Sequence, residues 1–179
     1  MRRCTPGGNP LGAGPAARPH YRGTVGSERG SERVLEAAQR LGIVVEVVER
    51  PEADSLETAA ALLGLDPSTI VKSLVVGRSD GTFLFALVPG DRQIAWPKLR
   101  AAVGVNKLRL PSAETALEAT GYERGTITPL GSTTAWPVFA DERISGRIAM
   151  GAGAHGRSAF VDAAALLTAL HATVADITA

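Results

Sequence analysis

The stretch TIVKSLVVGRSDGTFLFALV, Thr69 to Val88, constrains the fold more than any other part of the chain. Two apolar runs rich in β-branched and aromatic residues flank Arg78-Ser79-Asp80-Gly81, so the segment reads as a β-hairpin. A period of two puts Ile70, Lys72, Leu74 and Val76 on one face of the first strand and Val71, Ser73 and Val75 on the other. Both faces are largely apolar, which makes this a central strand. Lys72 breaks the pattern: it either snorkels to the strand's end or points into a polar pocket, where its charge can hold an anionic or developing-negative group.

Helical and strand periods alternate irregularly around the hairpin. Residues 31–41 place Val34, Leu35, Ala38 and Leu41 on one helical face, and Gly42 ends that helix. A strand over Ile43–Glu49 follows, then a helix whose Asp54 and Glu57 have capping-box spacing and whose buried stripe is Leu56, Ala59, Ala60 and Leu63. Beyond the hairpin come a short helix with Pro97 in its first turn, a strand at Lys107–Leu110 and a helix at Ser112–Thr120. Late strands at Ala135–Ala140, Gly146–Met150 and Ser158–Val161 precede a helix starting at Asp162 and a terminal Thr173–Ile177 segment. This mixture predicts a single α+β domain built on a mixed sheet. At 179 residues the chain is long enough for one such core.

Residues 1–30 are rich in Gly, Pro and Arg without hydrophobic periodicity, and are expected to form a disordered basic leader ahead of a domain spanning 31–179. Residues 1–33 carry a net charge of +4 and the remainder −3. The folded body is therefore slightly acidic and is not a general nucleic-acid binder; contact with RNA is expected over a small local patch. No apolar run is long enough to span a membrane, so no membrane partner is expected. The single cysteine, Cys4, suits a reducing cytoplasm.

Two glycine-bearing stretches could carry chemistry. Gly151–Gly156, GAGAHG, fits the G-x-G-x-x-G spacing of a dinucleotide loop, but Arg157–Val161 after it reads as a strand where a helix is required. It is therefore expected to be a turn between two late strands. In TGYERGTITPLG, Gly125 and Pro129 frame a rigid loop of the kind that aims successive backbone N–H groups at one point, as an oxyanion or bound water requires. Read without context, it is only a turn. The histidines, His20, His155 and His171, build no metal motif, and no metal or cofactor is expected.

Taken in order, IVKSLVV, LVPGDRQIAWPKL, VNKLRL, TGYERGTITPLG, PVFADE and GAGAHG followed by a final helix resemble the YbaK / prolyl-tRNA synthetase editing-domain superfamily of aminoacyl-tRNA deacylases, from about Ser31 to Ala179. The resemblance implies that family's partly barrel-like mixed sheet flanked by helices. It also implies metal-free hydrolysis of the ester of a mischarged tRNA, a second sieve for errors that binding alone rejects by only about 1–3 kcal/mol. The implied catalytic set is Lys72, Gly125, Ile127, Thr128 and Pro129, with Ser73, Thr126, Asp141, Gly151, Gly153 and His155 lining or shaping the substrate cleft. The loop looks closest to the Cys-tRNA(Pro) branch, with Ala-, Ser- or Thr-charged tRNA, or a hydrolytically silent binding module, as alternatives. Partners implied are the aminoacyl-tRNA acceptor end and prolyl-tRNA synthetase, with no DNA. One departure stands out: Thr126 replaces a second glycine, and a β-branched residue tolerates positive φ poorly.

Overall fold

The computed structural model describes residues 25–179. Its elements run α1 (Val25–Leu41), β1 (Val45–Glu49), α2 (Leu56–Leu63), β2 (Val71–Arg78), β3 (Phe83–Pro89), α3 (Trp96–Val103), β4 (Leu108–Arg109), α4 (Ala113–Thr120), β5 (Val138–Asp141), β6 (Arg147–Gly151), β7 (Arg157–Asp162), α5 (Ala163–Ala169) and β8 (Thr173–Ala175). The mixed α+β domain expected from the sequence is what the chain adopts. Among the described residues no helix is long and apolar enough to cross a membrane.

Two sheets share the core. One has the order β1-β7-β6 and the other β4-β2-β3-β5-β8. The β2–β3 hairpin is antiparallel, pairing Lys72 with Val88 and Val76 with Leu84, whereas β3–β5 and β5–β8 run parallel. A bridge between Ile70 and Ala149 joins the two sheets just before β2 begins.

The alternation read from the sequence sorts the hairpin's two faces correctly. Val71, Val75, Phe85 and Leu87 enter the main core with Ile148, Met150, Ala159 and Val161 of the other sheet and with Val34 of α1. Val76, Leu84, Ala86 and Val88 enter a second cluster with Leu99 of α3 and Ile177. β2 is paired on both edges only at Gly77 and Arg78, where β4 joins it, so its Lys72 half has β3 on one side and an opening on the other.

Three local expectations need correction. First, α1 starts at Val25, not near Ser31; the proposed leader over residues 1–24 lies outside the described residues, and 25–30 are helical. Gly30 carries no apolar side chain and so left no trace in the periodicity. Second, the buried stripe of α1 is Gly30, Ser31, Val34, Ala37 and Ala38, while Leu35 and Leu41 are exposed. Third, the cap of α2 is Ser55, whose side chain accepts from the Thr58 N–H at 3.0 Å. Asp54 instead accepts from the Thr58 hydroxyl, so the capping residue is one position later than the spacing implied. Ser112 caps α4 and Asp162 caps α5, each through its side chain.

Candidate functional site

A cavity of about 580 Å³ opens beside the unpaired half of β2. Lys72 and Ser73 line it from β2, Gly125 and Ile127 from the loop after α4, and Met150 and Gly151 from the end of β6. The start of α2, the segment Leu110–Ala113 and the pair Arg157–Ser158 complete the wall. Five of the residues marked out in the sequence thus meet here: Lys72, Ser73, Gly125, Ile127 and Gly151.

Lys72 is half-buried, and its ammonium donates to the Gly90 carbonyl at 3.1 Å and to the Arg92 carbonyl. Burial lowers its pKa below the ordinary lysine value, against the opposing influence of Asp91 and Glu57. The two readings of this lysine meet in one geometry, a cavity-lining cation anchored by loop carbonyls. Gly90 is needed there for close approach: a Cβ on it would stand 2.2 Å from the Pro67 oxygen. Ser73 alternates to the opposite face of β2, and its hydroxyl is buried with no hydrogen-bond partner among the described residues. A buried hydroxyl without a partner costs free energy, so a polar substrate group arriving beside it gains a ready contact.

The loop from Tyr122 to Gly131 is clamped at its base. The Tyr122 hydroxyl donates to the Leu130 carbonyl at 2.7 Å, and Arg33 of α1 lies over the Tyr122 ring while donating to the Gly131 carbonyl at 3.0 Å. Burial pushes the Tyr122 phenol up to about 12, so it remains a donor. Gly125 takes the left-handed conformation at φ 91°, and Thr126 does not, which resolves the missing second glycine. The Thr126 N–H donates to the Glu123 carbonyl. The N–H groups of Gly125 and Ile127, which line the cavity together with Arg124 of the same loop, have no acceptor among the described residues.

The Gly151–Gly156 stretch is a turn between β6 and β7, as expected, and it supports this loop from behind. A Cβ on Gly151 would stand 2.4 Å from the Ile127 oxygen, and the Gly153 N–H donates to the Thr126 carbonyl at 2.9 Å. Gly153 itself lies against Gly30 and Tyr122, away from the cavity.

The remaining marked residues stand apart from the cavity wall. Thr126 and Thr128 are buried, their hydroxyls tied to the Glu123 carbonyl and the Leu130 N–H, and Pro129 is buried behind them. His155 is exposed, beside Gly125 but bonded to Glu123 at 3.0 Å on the outer side. Asp141 corrects the expectation most sharply. It is 0% exposed, and its carboxylate accepts from Arg143, from the Ile177 N–H and from the Thr178 hydroxyl. Burial raises its pKa, but these hydrogen bonds prevail and hold it below the usual carboxylate value. Asp141 ties β5 to the chain's C-terminal segment and does not line the cleft.

Three wall arginines were not marked out in the sequence. Arg50 donates to the Ser158 hydroxyl at 3.0 Å, and Arg124 and Arg157 also line the wall. Arg50 and Arg157 are brought there by the fold, whereas Arg124 lies within TGYERGTITPLG beside Gly125. Arg33, counted above merely as charge, is the other residue missed.

Comparison with known proteins gives a consistent set of neighbours. Residues 50–169 match the model of the aminoacyl-tRNA editing domain. A proline–tRNA ligase of Thermosipho africanus is 35% identical over 120 residues, covering 67% of this chain and 19% of that protein. One from Bacillus licheniformis is 32% identical over 108 residues, covering 60% and 19%. The chain therefore spans about a fifth of the length of these curated relatives. Among solved structures, one described as a candidate trans-editing enzyme for prolyl tRNA synthetase superposes with a TM-score of 0.78 at 28% identity, covering 84% of this chain and 97% of that one.

Proposed function

We propose, from the premise that this chain belongs to the aminoacyl-tRNA editing domain family, that it hydrolyses the ester joining a wrong amino acid to tRNA. The observation that carries the reading is the meeting of Lys72, Ser73 and the free N–H groups of Gly125 and Ile127 around one cavity.

Water attacks the ester carbonyl carbon, the carbonyl oxygen becomes an oxyanion, and the bond to the ribose oxygen then breaks, with the departing oxygen taking the proton the water gives up. Among the described residues the cavity wall presents Lys72, Ser73 and loop backbone N–H groups to the ester. The protein's part is therefore to orient the ester and stabilise the oxyanion with backbone N–H groups at the loop, while a ribose hydroxyl of the substrate assists proton transfer. Lys72, anchored at Gly90 and Arg92, holds the anionic 3′-terminal nucleotide in register with the loop. Arg50 and Arg124 supply further positive charge at the cavity wall, whereas Arg157 is paired with Glu49.

The substrate we infer is Cys-tRNA(Pro), on the likeness of the Tyr122–Gly131 loop to that branch. A wall combining Ile127, Met150 and Ala116 with the Ser73 hydroxyl suits a small, weakly polar side chain. The relatives that are proline–tRNA ligases support tRNA(Pro) as the carrier and a synthetase as the partner that releases it. Incubation with Cys-, Ala-, Ser-, Thr- and Pro-tRNA(Pro) tests this: Cys-tRNA(Pro) should lose its ester fastest and Pro-tRNA(Pro) slowest. A preference for Ala-, Ser- or Thr-tRNA would retain the reaction and overturn the cysteine assignment.

A further inference from the structure

A second hollow, of about 480 Å³, lies at the far end of β2 from Lys72. Arg78, Arg100, Lys107 and Arg109 line it, and among the described residues no acidic one does. None of these four side chains is in an ion pair among the described residues. Asp80 in the β2–β3 turn lies within electrostatic reach of Arg78, but its carboxylate is occupied by the N–H and hydroxyl of Thr82. Arg78 is partly buried, and its Nε is buried without an acceptor. The Arg109 side chain lies across Gly77, its Cγ 3.6 Å from where a Cβ on that glycine would stand. Four cations from β2, α3, β4 and the turn before β4 are thus gathered around one concave surface with an unused donor inside it.

One continuous segment runs from the hollow to the larger cavity. Leu108 and Arg109 line the basic hollow, and the next residues, Leu110 to Ala113, line the catalytic cavity. A nucleic acid whose 3′ end enters the cavity and whose duplex follows this segment meets the hollow's cations. We propose that the Arg78–Arg100–Lys107–Arg109 hollow binds the phosphate backbone of the tRNA acceptor stem, holding the duplex while its 3′ end reaches Lys72. The inference rests on the editing reading for its ligand but not for its test. Clustered arginines and lysines contact phosphates independently of base sequence. They are also the small local RNA-contact patch that a slightly acidic body requires.

Binding of a fluorescein-labelled, uncharged acceptor-stem RNA hairpin to the whole protein tests the proposal without requiring hydrolysis. Three proteins are compared by anisotropy across a salt series: wild type, Arg100→Gln/Lys107→Gln/Arg109→Gln, and the equally charge-reduced Arg29→Gln/Arg40→Gln/Arg147→Gln. Arg78 is left intact because it is partly buried, and circular dichroism melts confirm folding. The hollow variant is expected to bind at least about tenfold more weakly at low salt, with a slope of log K against log salt flatter by about 2. The control variant should change less than about threefold. Equal losses in the two variants, an unchanged hollow variant, or no hairpin binding by wild type would each overturn the proposal. Hairpin binding by a wild type that fails to hydrolyse any aminoacyl-tRNA would support the hollow and contradict the proposed function.

Discussion

Gly30 and Gly153 meet backbone to backbone: a Cβ on Gly30 would stand 1.9 Å from the Gly153 oxygen, and one on Gly153 would stand 2.6 Å from the Gly30 oxygen. This crossing lets α1 lie directly on the β6–β7 turn, where Ser31 also donates to the Ala152 carbonyl at 2.9 Å. The turn in turn braces the Gly125–Pro129 loop through Gly151 and Gly153. The first helix is thereby coupled to the Gly125–Pro129 loop through three glycines.

Gly30→Ala should therefore reverse the usual sign of a glycine-to-alanine change in a helix. Elsewhere the substitution gains about 1 kcal/mol; here the collision with backbone costs about 1–3 kcal/mol net. Urea unfolding reads the difference. A stabilised Gly30→Ala protein would mean that the crossing is looser than described.

Acid should destabilise the protein through the Asp141–Arg143–Asp176 group. Asp176 is held down to about 2 by its hydrogen bonds with Lys98 and Arg143, and Asp141 is held below its ordinary value. Carboxylates with depressed folded-state pKa values contribute stability that is complete above the unfolded value, about 4, and lost as pH falls towards the folded one. Tm should thus drop between about pH 4 and about pH 2. Asp141→Asn should cost about 2–3 kcal/mol at pH 7 and show a smaller acid drop than wild type. An equal drop in the variant would remove Asp141 from the explanation.

His155→Ala should leave the amino-acid preference unchanged. The imidazole faces Glu123 on the exterior, and an exposed pair of this kind contributes less than about 1 kcal/mol. A variant with an altered ranking among Cys-, Ala-, Ser- and Thr-tRNA(Pro) would place the ring at the aminoacyl group after all.

What the sequence revealed follows from how far each signal reaches along the chain. The β2–β3 hairpin was legible because alternation marks both of its faces within twenty residues. The GAGAHG turn was legible because the residues after it form a strand. The onset of α1 was hidden because Gly30 adds nothing to a hydrophobic pattern, although the fold depends on its missing side chain. Asp141 was assigned to the cleft by the resemblance alone, whereas its partners Ile177 and Thr178, 36 and 37 positions later, hold it elsewhere. Arg33, Arg50 and the basic hollow are assembled by tertiary packing, and no local pattern marks them.

The most direct measurement is single-turnover hydrolysis of Cys-tRNA(Pro) by wild type and by Lys72→Ala, with folding of the variant verified by circular dichroism. Wild type should accelerate ester loss over the spontaneous rate, and Lys72→Ala, by loosening the register of the substrate, should lose most of that acceleration, on the order of 10²-fold. Ester loss at the spontaneous rate with wild type, or a folded Lys72→Ala variant acting at the wild-type rate, would contradict the assignment of this cavity.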